Sequence, residues 1–295
     1  MDSEILGRCT VNADVAVILT VWRRDNLREQ LLAIMAQTVQ PKEIWVCQNE
    51  NFIDVRAILS EFPGVEHVHS SVNLKYFGRF SIARHLKAKF IWILDDDQIP
   101  SPNWLKTCLM ICEAENAIVS SAGRIIPEND YLPERSNNIG KFFFGDVPQT
   151  GNSNTCAEDS IVDYGCNGWF LQQQWLRYFW ETSPFTLEIS EDMHLSALCK
   201  IRAGIRTIVP MQTSPINSGN LKIEYGRDEH ASWTKPGFLE KRKEVLHYLI
   251  DELGWRPTMW KQAHTTKSGE ATKDARFNLR LPIISRIFSL KKKLV

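Results

Sequence analysis

Short apolar runs alternate with segments of helical periodicity along the first 122 residues of the chain. The apolar runs have the length and composition of buried strands, and they cover residues 15–20, 43–47, 65–69, 90–94 and 117–122. The periodic segments predict helices over residues 25–37, 55–62, 81–88 and 102–115. Asp25 is well placed to cap the first helix. Strands that alternate with helices predict a mostly parallel α/β sheet, with ligands bound beyond the carboxyl ends of the strands.

The regular alternation stops near residue 123. Residues 127–160 are rich in Pro, Asn, Asp, Ser and Gly, which predicts long loops of the kind that form lids or binding loops. Further elements are predicted, namely an extended stretch over 161–171, a helix over 191–203, a strand over 205–209 and an amphipathic helix over 238–253. The pattern therefore divides the chain into a regular half (1–122), a loop-rich half of the same domain (123–255) and a C-terminal helical extension (256–295).

Composition and charge narrow the class of protein. Hydrophobic residues form 43% of the chain and charged residues 24%, as in ordinary globular domains. Lys and Arg total 35, as do Asp and Glu, and this neutrality argues against a nucleic-acid partner. The seven cysteines include no CxxC pair, so we expect reduced thiols and no zinc site. Because no run approaches the ~20 apolar residues of a membrane span and the start lacks a signal-peptide pattern, we expect a cytoplasmic protein.

The last twenty residues differ in character from the rest. Residues 276–295 contain six basic residues and no acidic one, with apolar residues interleaved. Such a segment can lie on an anionic membrane surface, here the inner face of the membrane. It can equally form a helix that docks on the domain with its lysines in water. Pro282 interrupts the helical pattern, and both interpretations stay open.

Three consecutive aspartates, Asp95, Asp96 and Asp97, directly follow the apolar run of residues 90–94. Neighbouring carboxylates of like charge are unfavourable unless a cation neutralises them. Asp95 and Asp97 alternate to the same side of an extended chain, so both can face one Mg²⁺ or Mn²⁺ ion whose shell diphosphate oxygens complete. The alternative is an exposed acidic turn that caps the following helix.

The segment of residues 78–97, with Ala83-Arg84, an apolar strand and the aspartate triplet, resembles the hallmark of nucleotide-sugar glycosyltransferases of the GT-A fold. It is most similar to the inverting family 2. A second segment, Glu191-Asp192 opening a helix that ends in Ala203-Gly204, also resembles that family, and the likeness runs from about residue 15 to 209. The resemblance implies a GT-A (Rossmann-like) fold, with nucleotide-sugar binding in residues 1–122 and acceptor binding and catalysis in residues 123–255.

The resemblance also implies catalytic and metal-binding roles. Asp192 would remove the proton from the acceptor hydroxyl, and Glu191 would orient the acceptor or the base. The same residues could instead simply favour the helix N-terminus, with Ser190 as cap. Asp97 would be the direct metal ligand, with Asp95 serving the metal or the nucleotide. His230 is the candidate for a later metal ligand, against an ordinary loop histidine.

Further residues are implied in donor and acceptor binding. Those expected at the nucleotide sugar are Thr20, Val21, Arg23, Gln48, Asn49, Arg79, Arg84, Asp95 and Asp96, with Arg84 a stronger diphosphate candidate than Arg79. Those expected at the acceptor are Asn167, Gly168 and Trp169. The chain departs from the family after the first strand, where it has Trp22-Arg23, and after the second, where it has Gln48-Asn49-Glu50, so the nucleotide base stays open.

These residues together predict a metal-dependent glycosyltransferase that moves a sugar from a nucleotide-diphosphate sugar to a glycan or glycolipid hydroxyl with inversion. One alternative is a retaining GT-A enzyme of the exostosin-like type. Another is a sugar-phosphate nucleotidyltransferase, although the Gly-rich basic loop expected after its first strand is missing. The last alternative is a carbohydrate-binding domain derived from such an enzyme. The presence of both acidic motifs argues against it.

Overall fold

A nine-stranded sheet forms the centre of the computed structural model, which describes residues 12–127, 143–145, 158–212 and 214–259. The strands are β1 (Asn12–Val21), β2 (Gln40–Asn49), β3 (Glu66–Ser70), β4 (Phe90–Leu94), β5 (Ile118–Arg124), β6 (Phe143–Gly145), β7 (Ser160–Val162), β8 (Tyr164–Gln172) and β9 (Thr207–Val209). Their order in the sheet is β3-β2-β1-β4-β8-β5-β9-β7, and β6 pairs with β5.

Helices connect and cover these strands. They are α1 (Leu27–Met35), α2 (Val55–Leu59), α3 (Gly78–His85), α4 (Trp104–Glu115), α5 (Leu176–Glu181), α6 (Glu191–Ala203) and α7 (Phe238–His247). Every residue from Val15 to Leu19 and from Phe90 to Leu94 is at most 3% exposed, so β1 and β4 are covered on both faces. This burial explains why both strands read as continuous apolar runs, and it confirms the predicted central sheet flanked by helices.

The two halves of the sheet differ in strand direction. The pairs among β3, β2, β1 and β4 are parallel, as the alternation of strands and helices predicts. β8, by contrast, runs antiparallel between β4 and β5, and β5 pairs in parallel with β9. The expectation of a mostly parallel sheet therefore holds for the first half only, because a strand from the loop-rich half enters the centre of the sheet.

Several predicted boundaries shift. The extended stretch 161–171 is divided into β7 and β8 at Asp163, whose carboxylate accepts hydrogen bonds from the backbone nitrogens of Ile126 and Thr258. The predicted helix 238–253 ends at His247 and continues as a π-helical turn, Tyr248–Glu252. The helix predicted over 191–203 is confirmed as α6, which ends at Gly204 in the left-handed conformation that glycine readily adopts.

The predicted cap of α1 is wrong. Asn26, rather than Asp25, occupies the N-cap position and makes no side-chain capping bond. Its amide instead donates a hydrogen bond to the carbonyl oxygen of Asp96 at 3.0 Å. A tertiary contact therefore replaces the local capping bond that an asparagine at this position commonly makes.

The C-terminal half is tied to the domain by a second apolar cluster. Helices α6 and α7 share it, and its members include Met193, Leu198, Val245, Leu246 and Trp255. This packing fixes α7 beside the start of α6. Within the described residues, no helix is long and apolar enough to cross a membrane. Most of the predicted loop 127–160 and of the extension 256–295, including residues 276–295, lies outside the described residues.

Candidate functional site

The acidic turn, defined as Asp95, Asp96 and Asp97, lies at the carboxyl end of β4. Because β1 pairs in parallel with β4, with Leu19 opposite Leu94, the loop after β1 lies beside this turn. On the other side, β8 runs antiparallel, and the carbonyl of Asn167 accepts a hydrogen bond from the backbone nitrogen of Asp95 at 3.0 Å. The carboxyl edge of the parallel strands therefore presents the carboxylates, as expected for ligand sites in α/β sheets.

The side-chain amides of two buried glutamines hold the acidic turn in place through hydrogen bonds. Gln30 on α1 donates to the carbonyl oxygens of Asp95 at 2.7 Å and Gln98 at 3.1 Å. The Gln98 amide donates in turn to Asp97 Oδ1 at 2.9 Å. Gln30 and Gln98 are at most 1% exposed, so the position of the turn is determined by the packed interior rather than by solvent-exposed loop contacts.

Arg79 joins the acidic turn to the start of α6. Its Nη1 pairs with Asp95 Oδ1, and its Nη2 lies 2.8 Å from Glu191 Oε1. The residue is 5% exposed, and its guanidinium carbon lies 4.9 Å from the centre of the Trp169 ring. Both pairing nitrogens are thus occupied by protein carboxylates. Arg79 therefore holds Asp95 and Glu191 together, and its guanidinium is not available as an unpaired cation for a diphosphate.

Burial alters the protonation of two carboxyls that contact Arg79. Loss of solvent raises the pKa of Asp95 to about 8, although Arg79 pulls it in the opposite direction. Burial likewise raises the pKa of Glu191 to about 7, and the neighbouring Asp192 adds to this effect while Arg79 opposes it. Raised pKa values of this kind are common where carboxyls take part in proton transfer.

Arg24, in the loop after β1, contacts the other two aspartates of the turn. Its Nη1 lies 2.5 Å from Asp96 Oδ1 and 3.4 Å from Asp97 Oδ2. Its Nε and Nη2 also donate to both carboxylate oxygens of Asp228, at 2.7 and 2.6 Å. The sequence alone predicts that a divalent cation neutralises the acidic turn. In the structure, Arg24 and Arg79 already neutralise part of its negative charge.

Asp192 is paired with α7. Its Oδ2 lies 2.8 Å from Arg242 Nη2, and both side chains are less than 10% exposed. Its Oδ1 accepts a hydrogen bond from the backbone nitrogen of Met193 at 2.7 Å. Ser190 occupies the N-cap position with a positive φ of 71° but makes no side-chain capping bond. Its buried Oγ has no hydrogen-bond partner among the described residues, so the simpler interpretation of this segment as a capped helix start does not hold.

The predicted residues at the carboxyl ends of β1 and β2 do lie along one edge of the sheet, since Thr20 is opposite Cys47 and Val21 is opposite Gln48. The Gln48 amide is engaged within the protein, because it donates to the carbonyl of Ile53 at 2.9 Å and its oxygen lies 3.0 Å from His67 Nε2.

Two further side chains at this edge also have partners. Asn49 Oδ1 accepts from the backbone nitrogen of Leu74. The guanidinium carbon of Arg23 lies over the rings of Trp22 and Phe52, 4.6 and 4.3 Å from their centres, and the two rings also contact each other edge to face. The side chains at this edge are therefore engaged in hydrogen bonds and cation–π contacts within the protein.

Two expected residues are not brought to this site. Arg84 is exposed in the last turn of α3. Its carbonyl accepts a hydrogen bond from the Gln173 amide, and the backbone nitrogen of Gln173 donates to Lys89, directly before β4. Arg84 therefore lies at the amino end of β4, whereas the acidic turn lies at the carboxyl end. Trp169 is 1% exposed, so it has no open face for an acceptor. Its Nε1 donates to the carbonyl of Gly165 at 2.9 Å. The expectations for Arg84 and Trp169 are corrected accordingly.

The remaining candidates lie near the acidic turn. Asn167 has a positive φ of 69° and is hydrogen-bonded to the turn through its carbonyl. Gly168 is tightly packed, since a Cβ there would lie 3.1 Å from Leu94 Cδ2 and 3.3 Å from Ser121 Oγ. His230 is half-buried, and its backbone nitrogen donates to Asp228 Oδ1 at 3.0 Å, so it borders the site through Asp228.

The fit of a divalent cation can be judged from these contacts. Among the described residues, no three His, Cys, Asp or Glu side chains are grouped to hold a metal. The ion pairs, however, join six carboxyl groups to only three arginines, although the raised pKa values of Asp95 and Glu191 reduce the negative charge that these two carry near pH 7. Asp97 is the carboxylate least tightly paired. Because Mg²⁺ at nucleotides uses one or two carboxylates plus phosphate oxygens, the residues fit an ion that is shared with a ligand.

Sequence reasoning missed Arg24, Asp228 and Arg242. Arg24 is separated from Asp228 by 204 positions and Arg242 from Asp192 by 50. No local motif links such distant residues. The one available signal is the unusual Arg23-Arg24 pair directly after a strand that ends at the acidic edge.

Comparisons with known proteins bear on the family and the fold of the chain. The protein-family description "Glycosyl transferase family 2" matches residues 16–175, more than half of the chain. The galactofuranosyltransferase GlfT1 of Mycolicibacterium smegmatis is 28% identical over 125 residues, which cover 41% of each protein. The crystal structure of S. aureus TarS superposes with a TM-score of 0.54 at 13% identity, over 83% of this chain and 40% of TarS.

The matched parts thus span about 40% of the length of either relative. The structural match supports the GT-A fold expected from the sequence. From the extent of the family match, together with the acidic turn at the carboxyl edge of the sheet, the chain belongs to the glycosyltransferase family 2.

Proposed function

We propose that this chain transfers a sugar from a nucleotide-diphosphate sugar to a hydroxyl of a glycan or glycolipid, with inversion at the anomeric carbon. The observation that carries the proposal is the convergence of the acidic turn and the Glu191-Asp192 pair on one buried cation, Arg79. A donor-side and an acceptor-side acidic motif are thereby held in one site. Membership in family 2 does not favour the exostosin-like or nucleotidyltransferase alternatives.

In the proposed reaction the acceptor oxygen attacks the anomeric carbon as the bond from that carbon to the diphosphate breaks. The hydroxyl proton passes to a carboxylate, for which we propose Asp192. Each oxygen of Asp192 already accepts one hydrogen bond, and a carboxylate retains further lone pairs for an acceptor hydroxyl. Glu191, tied to Arg79, would position this base and the acceptor, and the departing electron pair stays on the nucleoside diphosphate.

Asp97, with Asp95 as second ligand and His230 as a further candidate, would hold Mg²⁺ or Mn²⁺. When bound, the ion would stabilise the negative charge of the departing diphosphate. The protein itself supplies the carboxyl groups and the rigid turn, which the Gln30 and Gln98 amides fix in place. Removal of the ion with EDTA should abolish transfer, and Mn²⁺ should restore it; full activity in excess EDTA would contradict the metal role.

The donor and acceptor can be narrowed by experiment. Because GlfT1 is named a galactofuranosyltransferase, a galactofuranosyl donor is one sugar to test, beside common UDP-, GDP- and dTDP-sugars. We expect one donor to raise the melting temperature in the presence of Mn²⁺ and to be hydrolysed slowly without acceptor. The Asp192→Asn variant should retain this stabilisation and lose transfer. An absence of stabilisation by every donor would contradict the proposal, and NMR of the product anomer tests inversion.

The protein would act at the cytoplasmic face of a membrane if its acceptor is a glycolipid. Among the described residues, Cys47, Cys108, Cys112 and Cys199 carry free thiols, which suits a reducing compartment. The basic segment 276–295 is suited to peripheral contact with anionic lipid. No nucleic-acid partner is proposed, in keeping with the zero net charge.

A further inference from the structure

Arg24 contacts the acidic turn but has no role in the reaction proposed above. Its side chain is 11% exposed, and one guanidinium contacts three carboxylates. The pairs with Asp96 and Asp228 have hydrogen-bond distances of 2.5–2.7 Å, whereas the closest nitrogen lies 3.4 Å from Asp97 Oδ2. Asp97, the proposed metal ligand, is therefore the partner that Arg24 holds least tightly.

The segment that carries Asp228 also lies against the acidic turn. We call residues 220–234 the strap. The amide of Asn220 donates to the carbonyl of Asp97 at 3.3 Å. Gly226 packs against the same aspartate, since a Cβ there would lie 2.7 Å from Asp97 Oδ2. Tyr225 donates its hydroxyl to Glu29 Oε2 on α1 at 2.7 Å. The strap thus keeps Arg24 and Asp97 in contact by anchoring both from one side.

We propose that Arg24 is the resident counter-cation of the acidic turn and makes binding of the divalent ion depend on the nucleotide diphosphate. The inference rests on the proposed function. A bare divalent ion at Asp97 would lie close to the guanidinium, and two like charges at that distance repel. With a nucleotide diphosphate bound beside the ion, the guanidinium of Arg24 would gain a second anionic partner in exchange for Asp97.

The contacts allow this exchange without unfolding the site. Asp97 Oδ1 is held by the Gln98 amide, so Oδ2 can change partners while the carboxylate stays in place. Arg24 remains fixed to Asp228 by two hydrogen bonds, and only its loosest contact must break. Arg24 is thus a positioning residue for the ion and the diphosphate, and its effect should appear in binding as well as in turnover.

The experiment measures Mn²⁺ binding to the full chain by EPR of the free ion, with and without saturating UDP, GDP or dTDP, after correction for Mn²⁺–nucleotide complexes. In Arg24→Gln we expect at least tenfold tighter binding of Mn²⁺ alone. The factor by which nucleotide increases Mn²⁺ affinity should fall at least tenfold. Arg24→Lys keeps the charge and should keep Mn²⁺ alone bound weakly, as in the wild type.

Arg28→Gln is the matched control, because Arg28 lies four positions further on and is paired with Glu61. Its side chain is 53% exposed, and we expect no change in either measurement. Asp228→Asn tests the same idea if Arg24→Gln fails to fold by circular dichroism. It leaves Arg24 to the acidic turn alone, and Mn²⁺ alone should bind at least threefold more weakly.

Different results would contradict the role of Arg24 and the proposed metal-dependent transfer. Unchanged or weaker binding of Mn²⁺ alone by Arg24→Gln, with nucleotide coupling intact in the wild type, overturns the role of Arg24 and leaves the proposed function standing. Tighter binding by Asp228→Asn would also overturn it. A wild type that binds no Mn²⁺ with any of the three nucleotides overturns the metal-dependent function and, with it, this inference.

Discussion

Arg79 is a single buried side chain on which two parts of the site depend. Without it, the half-buried Asp95 and the buried Glu191 would both lose their cation. Removal of one partner from a buried ion pair destabilises a protein by about 3–5 kcal/mol. We therefore expect Arg79→Met to lower the free energy of unfolding by that amount in urea titrations at pH 8, and Arg79→Lys by less.

Arg84→Met on the same helix is the matched control for this prediction. Arg84 is exposed, and surface substitutions of this kind usually change stability by within about 0.5 kcal/mol. Equal losses in Arg79→Met and Arg84→Met would show that the helix, rather than the buried bridge, is sensitive to the loss of an arginine.

Glu191 should make stability depend on pH. Burial raises its pKa from 4.5 to about 7, so the folded state binds the proton more tightly than the unfolded state does. Its contribution to the free energy of unfolding is therefore complete below pH 4.5 and is lost as the pH rises through about 7. In EDTA, urea titrations from pH 5 to 8 should show a decline in wild type that is smaller in Glu191→Gln. An equal decline in both proteins would contradict the prediction.

Single residues differ in how far sequence predicts their place. Asp95, Asp97 and Glu191 stand in short motifs next to recognisable elements, so their convergence could be anticipated. Arg24 could not be paired with Asp228, because the contact joins segments 204 residues apart. The burial of Trp169 could not be predicted, because a large aromatic residue in a Gly-rich segment carries no local signal of its exposure.

Among the elements, those with strong local patterns were predicted well. The apolar runs of β1 and β4 reflect burial on both faces, and α6 is bounded by acids at its start and by Gly204 at its end. The direction of β8 could not be predicted, because an extended run has the same pattern whether its neighbours are parallel or antiparallel. Tertiary pairing between β4 and β5 decides it.

Helix α7 lies beyond the matched family segment and yet supplies Arg242 to Asp192. In Arg242→Met, Asp192 would remain buried beside Glu191 without its cation. The acidic limb of the pH–rate profile should move to higher pH, because Arg242 lowers the pKa of the neighbouring Glu191 and its loss removes that effect. Arg242→Lys should restore most of the wild-type profile, a rescue that a purely packing role would not produce.

Lys241→Met is the control for α7, because Lys241 is exposed one position before Arg242. It removes one cation from the same helix and should leave the pH–rate profile unchanged. A parallel shift in both variants would assign the effect to the net charge of α7 rather than to the contact with Asp192.

Over the whole molecule, zero net charge conceals a separation of charge. The last twenty residues carry six basic side chains and no acid, so residues 1–275 hold 29 basic and 35 acidic residues, a net charge of −6. An anionic membrane should therefore repel the body of the protein while it attracts residues 276–295. Any membrane affinity should reside in this segment and should weaken with salt.

Deletion of residues 276–295 tests this separation. Each Lys or Arg near an anionic surface contributes about 1 kcal/mol, so we expect the deletion to reduce sedimentation with phosphatidylglycerol liposomes at least tenfold. Replacement of Lys291, Lys292 and Lys293 by Gln should give a loss in the same direction while it keeps the apolar residues. Unchanged partitioning in both, with a lower free energy of unfolding for the deletion, would instead favour a segment that docks on the domain, because the buried apolar side chains would then stabilise the fold.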